Sequence, residues 1–258
     1  MFIKYFLFLK KNEIKTSKLA RILNHVVNSK IMVKIPYPSY KKTCSSAIKM
    51  SNSVEIENEK NDQKSDINEI EQMDYSIKHP LQNCWTLWYY ENDRTQTWEK
   101  NQKEIVSFQT VEDFWSLYNH VKPASELRQG TDYSLFKQGI KPMWEDGANK
   151  RGGRWLISLD KKQRNNELDR YWLDIILCLI GEAFEHSDEV CGAVVNIRQK
   201  GDKIGVWTSD ASNSAAVVEI GKKLKERLNI PPRTTLGYEI HKDTIDKTGS
   251  VSKYSYTV

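Results

Sequence analysis

The sequence has few of the features that mark a metal site or a catalytic centre. Its four cysteines show no CxxC spacing and no histidine at metal-ligand spacing, which indicates a reduced intracellular protein without zinc. None of the five histidines lies near a serine or cysteine in an activating motif. The glycine-containing segments 152–155 (GGRW) and 199–202 (QKGD) do not match a cofactor-binding loop. A non-catalytic protein is therefore the leading hypothesis.

Long apolar runs are also missing, since no segment reaches the roughly 18 apolar residues of a membrane-spanning helix. The opening segment MFIKYFLFLKK has five apolar residues after Lys4 and no small-residue cleavage site, so it is a poor signal peptide. A mitochondrial presequence is one alternative for this acid-poor segment. The favoured interpretation is an isoform-specific or spuriously included extension, because the polar stretch that opens at Met50 resembles a natural amino terminus.

Excess charge is confined to the first 78 residues. Residues 1–49 hold eleven Lys and Arg against one acid, and residues 50–78 hold eight acids against three bases. Residues 79–258 hold 25 of each sign, so any affinity for nucleic acid must come from local placement of charge. We predict a disordered extension over 1–78, basic over 1–49 and acidic over 50–78, followed by one folded domain over 79–258.

The folded part alternates strand-like runs with helical periods. A 3.6-residue apolar period predicts helices over 111–121, 168–184 and 211–228. Aromatic and branched residues predict strands over 85–91, 104–109, 135–136, 154–159, 191–198, 203–208 and 235–240. Because hairpins or single helices join these strands, we predict an α+β domain with a mostly antiparallel sheet and the helices on one face.

Tryptophan is the residue in excess: eight lie between Trp85 and Trp207. Trp98 and Trp144 fall in predicted loops, where no core period explains them. Two loop indoles can stack on both faces of a planar base. Such stacking contributes about 1–3 kcal/mol of binding free energy per base, and a cationic ring adds about 2 kcal/mol. Glu145 can accept both N1–H and N2–H of guanine. Taken singly, the indoles are more often packing residues and Glu145 a solvated loop acid.

Strand phase gathers basic residues on one face of the predicted hairpin. Side chains alternate along a strand, so Asn196 and Arg198 share a face, as do Lys203 and Trp207. If the two polar faces coincide, they form a patch suited to a short polyphosphate, with Arg154 on the neighbouring strand as a further candidate. An ordinary solvated sheet face is the simpler alternative for this hairpin in isolation.

Several segments together resemble the translation initiation factor 4E family over almost all of residues 79–258. They are HPLQNCWTLWYYEND, TVEDFWSLYNH, DYSLFKQGIKPMWED, NKRGGRWLISL, LDRYWLDIILCLIGE and VCGAVVNIRQKGDKIGVWTSD. The resemblance implies a curved, mostly antiparallel sheet of eight strands, backed by three helices on its convex face. It implies a slot for the 7-methylguanosine cap of mRNA on the concave face, without a cofactor, and a role in promoting cap-dependent initiation.

The resemblance also implies roles for individual residues. Trp98 and Trp144 correspond to the stacking pair, Glu145 to the guanine-reading acid and Trp207 to the contact with the N7-methyl group. The remaining slot residues are the phosphate contacts Arg154, Arg198, Lys203 and Lys200, and the pocket residue Asn196. Tryptophan at both stacking positions resembles the translation-promoting class. Ser250 matches a position phosphorylated in animal members, although a lone serine is a weak signal.

A second surface is implied on the convex side. There the scaffold factor 4G and the 4E-binding repressor proteins dock a short helix. The matching positions are His79, Pro80, Val111, Trp115, Leu173, Leu177 and Gly181. The protein is then expected to be cytoplasmic, and also nuclear, to be monomeric outside the initiation complex and to make no membrane contact.

Two competing functions would use the same slot. A cap-processing hydrolase or methyltransferase needs metal-binding carboxylates or a glycine-rich cofactor loop, and the sequence supplies neither. A general single-strand RNA binder would ignore N7 methylation and lose affinity steeply with salt.

Overall fold

The structure, a computed structural model, describes residues 78–245 and 254–258. Most of the predicted extension and Ser250 lie outside the described residues. Within the described part, no helix is long and apolar enough to cross a membrane.

Eight strands form one antiparallel sheet with the order β2-β1-β3-β5-β6-β4-β7-β8. The strands are β1 Pro80–Glu91, β2 Gln102–Thr110, β3 Thr131–Lys137, β4 Gly153–Leu159, β5 Val190–Asn196, β6 Asp202–Thr208, β7 Gly237–Ile240 and β8 Tyr256–Thr257. The sheet is curved and is not a closed barrel, which confirms the predicted α+β fold class. The eighth strand was not predicted from any local run of residues.

Within residues 78–245 and 254–258, three long helices and several short ones accompany the sheet. The α-helices are α1 Trp98–Asn101, α2 Val111–His120, α3 Lys161–Gln163, α4 Asp169–Ile180, α5 Ser214–Arg227 and α6 His241–Ile245. A π-helical turn, Arg164–Leu168, joins α3 to α4, and 3₁₀ turns cover Ala124–Glu126 and Ser187–Glu189. The long helices α2, α4 and α5 occupy the three predicted positions with tighter ends.

The long helices all pack on one face of the sheet. Leu87 and Leu135 on β1 and β3 line a common apolar space with Trp172 of α4 and with side chains of α2. Trp155 on β4 donates its indole N–H to the carbonyl of Val217 in α5 at 2.8 Å. This face is the core, and we call it the helical face.

One glycine allows the helix α5 to pack closely against the helical face. A Cβ on Gly221 of α5 would lie 2.3 Å from the ring of Trp155, so only glycine lets this helix approach the indole. The apolar residues at helical spacing within the predicted helix 168–184 are all buried: Leu168, Trp172, Ile175, Ile176 and Leu179. Among the described residues, no long helix packs on the other face of the sheet, and we call it the open face.

Candidate functional site

Exposure separates two of the eight tryptophans from the rest. Trp98 is 44% exposed and Trp144 is 41% exposed, whereas the other six are buried or half-buried. Indole surface gains free energy from burial, so an exposed tryptophan needs an explanation outside the fold. Their exposure agrees with the absence of a core period around Trp98 and Trp144 in the sequence.

Trp98 begins the short helix α1 between β1 and β2. The predicted loop was wrong here, because Thr97 caps a helical turn by accepting from the backbone N–H of Lys100 at 3.4 Å. The buried side chain of Asn101 donates to the carbonyl of Asp93 at 2.9 Å and fixes the end of that turn. The Trp98 ring lies 6.0 Å from the ring of Tyr90. The turn therefore positions Trp98 beside the open face.

Trp144 lies in the connection between β3 and β4, which is a loop as predicted. The buried Asn149 donates from its amide nitrogen to the carbonyls of Lys141 and Met143, each at 2.8 Å. Ile140 and Ala148, at the two sides of this loop, pack on an apolar cluster of the open face. That cluster consists of Phe136, Cys191, Val194 and Trp207. The loop is thus anchored over the open face.

The two acids that follow Trp144 have different roles. Asp146 accepts backbone N–H groups from Lys141 and Ala148, both at 3.0 Å, and so shapes the loop. Glu145 is exposed and has no hydrogen-bond partner among the described residues. The loop geometry therefore depends on Asp146 and leaves the Glu145 carboxylate available.

The segments that carry the two exposed tryptophans leave the β1–β3 strand pair at opposite ends. Glu91, at the end of β1 that leads to Trp98, pairs with Thr131, while Lys137, which leads to Trp144, pairs with Trp85. No ring contact joins Trp98 to Trp144 among the described residues. The two indoles are thus carried by separate, independently anchored segments.

Strand register brings the predicted basic residues onto the open face. Asn196 of β5 is paired with Lys203 of β6, as the predicted hairpin phase requires. Trp207 of β6 is paired with Arg154 of β4, which in turn is paired with Glu239 of β7. Trp207, Arg154 and Glu239 therefore form a row across three strands on one face.

Both predicted arginines are held by carboxylates that the sequence analysis did not identify. Arg198 donates from Nη1 and Nη2 to the two oxygens of Asp132 at 2.5 and 3.0 Å, and this hydrogen bonding raises its pKa. Arg154 donates from Nε and Nη2 to Glu239 Oε2 at 3.2 and 3.0 Å. In the described structure, Lys200 and Lys203 are exposed and have no carboxylate within 4.0 Å.

Hydrogen bonds from the π-helical turn before α4 hold the turn that carries Lys200 in place. Arg164, in the π-helical turn, donates to both oxygens of the buried Asp202, at 2.6 and 2.5 Å, and to the carbonyl of Arg198 at 2.9 Å. Asp202 also accepts from the backbone N–H of Arg198 at 3.1 Å. Arg164 and Asp202 were not singled out from sequence, although both act on the predicted basic residues.

Trp207 is the most enclosed of the predicted slot residues, at 8% exposure. Its ring lies 4.2 Å from that of His241 and 5.5 Å from that of Phe136. Burial, and then the nearby Arg154, lower the pKa of His241 to about 4, so this histidine is neutral at pH 7. An uncharged imidazole therefore lies next to the Trp207 ring.

The predicted docking residues lie on or beneath the helical side. Pro80 is exposed, and five others are partly exposed: His79, Trp115, Leu173, Leu177 and Gly181. His79 binds Glu112 through Nδ1 at 2.6 Å and through its backbone N–H at 2.9 Å, which attaches the start of β1 to α2. Val111, the first residue of α2, is fully buried in this structure.

The arrangement defines an α+β ligand-binding protein. Exposed indoles, a free carboxylate and a basic hairpin lie on or beside its open face, and the helices α2 and α4 carry the partly exposed apolar residues Trp115, Leu173 and Leu177. No group of three or more potential metal-ligating side chains was found in the part of the chain that the structure describes. The site has the groups to grip a planar, charged ring that bears an anionic tail.

Comparison with known proteins identifies the family. The sequence model described as Eukaryotic initiation factor 4E matches residues 80–256, and the chain belongs to this family. Eukaryotic translation initiation factor 4E-1A of Danio rerio is 56% identical over 209 residues, which cover 81% of this chain and 94% of that protein. Eukaryotic translation initiation factor 4E of Homo sapiens is 56% identical over 191 residues, or 74% of this chain and 88% of that protein.

Solved structures of relatives share the fold. Ascaris suum eIF4E-3 in complex with an m2,2,7G cap matches with a TM-score of 0.66 and 50% identity, over 70% of this chain and 99% of that one. Caenorhabditis elegans eIF4E-3, in complex with the 4E-binding protein Mextli and a cap analog, has a TM-score of 0.65 and 48% identity. That match covers 70% of this chain and 100% of the other.

Proposed function

We propose that this chain binds the 7-methylguanosine cap of mRNA on its open face and recruits the translation initiation scaffold through its helical face. The observation that carries the proposal is that Trp98 and Trp144 alone among eight tryptophans are exposed. The similarity to relatives solved with cap ligands supports the same ligand here. The chain acts by binding, without catalysis and without a cofactor.

The aromatic pair supplies affinity for the base. Methylation at N7 gives guanine a positive charge, and a cationic ring between two indoles gains both stacking and cation–π attraction. Trp207 contacts the methyl group from the sheet. His241, whose ring lies 4.2 Å from that of Trp207, is neutral at pH 7 and so does not repel the cationic base.

Glu145 supplies the choice of base. Its carboxylate accepts N1–H and N2–H of guanine, which are stronger donors once the ring is cationic. Adenine lacks this pair of donors, so a correctly placed contact discriminates by roughly 1–3 kcal/mol, as in groove readout. Asp146 and Asn149 keep the loop in shape while Glu145 binds.

The basic hairpin receives the phosphate chain. Arg154, Arg198, Lys200 and Lys203 bind the phosphates, with Asn196 lining the same pocket. The Arg164–Asp202 pair fixes the β5–β6 turn, so that Arg198, Lys200 and Lys203 need little rearrangement on binding.

The outer surface of the helices that cover the helical face binds the scaffold factor 4G or a 4E-binding repressor as a short amphipathic helix. A relative of known structure is bound to the 4E-binding protein Mextli, and another to a 4E-BP. Trp115, Leu173 and Leu177 offer the apolar contacts, with Pro80 and Gly181 at their margins. The chain promotes initiation in the cytoplasm as a monomer outside the initiation complex.

Titration of tryptophan fluorescence with 7-methyl-GTP and with GTP tests the proposal. We expect 7-methyl-GTP to bind at least about tenfold more tightly, because only the methylated ring is cationic. The Trp98→Ala variant should lose most of this preference. Equal affinity of the unaltered chain for the two nucleotides would contradict cap binding, and would favour a general single-strand RNA binder if affinity also fell steeply with salt.

A further inference from the structure

A buried acid lies inside the proposed phosphate-binding region. Glu239 is 4% exposed and stands on β7 directly opposite Arg154 of β4. Arg154 in turn is opposite Trp207, so the carboxylate is two strands from the residue proposed to contact the methyl group. A negative charge at this place opposes the binding of an anion, and so requires an explanation.

Glu239 occupies one edge of the Arg154 guanidinium. Both Nε and Nη2 donate to the same oxygen, Oε2, at 3.2 and 3.0 Å. These are the hydrogen bonds of Arg154 among the described residues, and Nη1 is left over for a ligand. A guanidinium paired in this way acts on a more distant phosphate as a dipole rather than as a full charge. Burial of Glu239 limits screening by water.

The second arginine of the hairpin is held differently. Arg198 donates to the backbone carbonyls of Thr131 and Ile197 as well as to Asp132. Its position is therefore fixed by backbone groups in addition to the carboxylate. Arg154 lacks such backbone contacts in the described structure, so its contribution to anion binding depends more directly on Glu239.

We infer that Glu239 sets the phosphate dependence of ligand binding by opposing the charge of the phosphate chain at Arg154. This inference rests on the proposed function. The phosphate chain is common to all nucleoside triphosphates, so a carboxylate that weakens its contribution reduces the affinity of every unmethylated competitor. Stacking and the Glu145 contact then carry a larger share of the binding free energy.

The Glu239→Gln variant tests this inference with 7-methyl-GMP, 7-methyl-GDP and 7-methyl-GTP as probes. Glutamine keeps the volume and one acceptor for Arg154 but removes the charge. We expect affinity for the triphosphate to rise roughly three- to tenfold and affinity for the monophosphate to change less than about twofold. The gain should shrink at about 0.5 M salt, because exposed phosphate charges are then screened.

Glu185→Gln is the matched control. Glu185 is exposed in the segment after α4, so the variant makes the same change in net charge away from the open face. It should leave the ratio of triphosphate to monophosphate affinity unchanged. Thermal unfolding of each variant establishes that the domain is folded.

Glu239→Met provides a second variant of similar volume without an acceptor. It should raise the same ratio, because the charge is again removed. A ratio that is unchanged or lowered in the folded variants would overturn the inference and would make Glu239 a positioning residue for Arg154. Failure of the unaltered chain to prefer 7-methyl-GTP over GTP would instead contradict the proposed function, so the two failures are distinguishable.

Discussion

The two faces of the sheet use the same residue types for opposite purposes. On the helical face, Trp155 is fully buried against α5 and donates its N–H to a backbone carbonyl. On the open face, Trp98 and Trp144 stay exposed on separately anchored segments. The helical face therefore stabilises the fold, whereas the open face leaves side chains available to a ligand. The role of each tryptophan follows from its position and exposure. The number of tryptophans in the sequence does not predict it.

Removing the core indole should have the largest effect. Trp155→Ala is expected to lower the free energy of unfolding by about 3–5 kcal/mol, because it opens a cavity beneath α5 and removes the bond to Val217. Urea unfolding measures the loss. A loss below about 1 kcal/mol would contradict the assignment of Trp155 to the core.

A buried carboxylate on the helical face should produce the next largest effect. Burial raises the pKa of Asp174 to about 7, with Arg227 acting in the opposite direction, and its Oδ2 lacks a partner in the described structure. In the unfolded chain this group ionises near pH 4. The folded state therefore binds more protons between about pH 4 and 7, and stability falls as the pH rises through this window.

Asp174→Asn should remove that penalty. The variant is expected to be more stable than the unaltered chain by up to about 4 kcal/mol at pH 8, with the difference vanishing near pH 4. Urea unfolding at several pH values checks the sign, and Asp188→Asn at an exposed position is the control. A gain in the free energy of unfolding that is independent of pH would contradict the raised pKa of Asp174.

Removing an exposed indole should affect binding alone. Trp144→Ala is expected to weaken 7-methyl-GTP binding by about 1–3 kcal/mol, the range for one stacked base, while changing the unfolding temperature little. Ile105→Ala is the matched control, since Ile105 is 49% exposed on the edge strand β2. Unchanged affinity in Trp144→Ala, measured by calorimetry, would remove Trp144 from the slot.

The smallest predicted effect concerns base selection. Glu145→Gln is expected to weaken 7-methyl-GTP binding about tenfold, because the charged acceptor is replaced by a neutral one. Glu99→Gln, next to the other exposed tryptophan, should change affinity less than about twofold. Equal effects of the two variants would mean that Glu145 acts only through net charge.

Local sequence patterns predicted the fold better than the details of the site. Alternation and helical periods located seven strands and three long helices, but β8 has two residues and α1 has four, too few to show a period. The pairing of Arg154 with Glu239 joins residues 85 positions apart, and that of Arg198 with Asp132 spans 66. Such pairs depend on strand register, which periodicity does not encode.

Correspondence with a family predicts which residues match a functional position, but it does not predict how exposed their side chains are. Val111 matches a docking position, yet it is the first residue of α2 and its side chain is buried under that helix. Phe114 and Trp115 are adjacent in α2, yet Phe114 is buried in the core and Trp115 is partly exposed. The exposure of these side chains could be determined only from the structure.

The most direct test of the central claim measures both proposed surfaces in the same variants. Trp98→Ala and Trp115→Ala would each be titrated with 7-methyl-GTP and with a helical peptide carrying the Tyr-x-x-x-x-Leu-hydrophobic motif. We predict that Trp98→Ala loses affinity for the nucleotide only, and that Trp115→Ala loses affinity for the peptide only. Loss of both ligands in either folded variant, or loss of neither, would contradict the division of binding between the two faces.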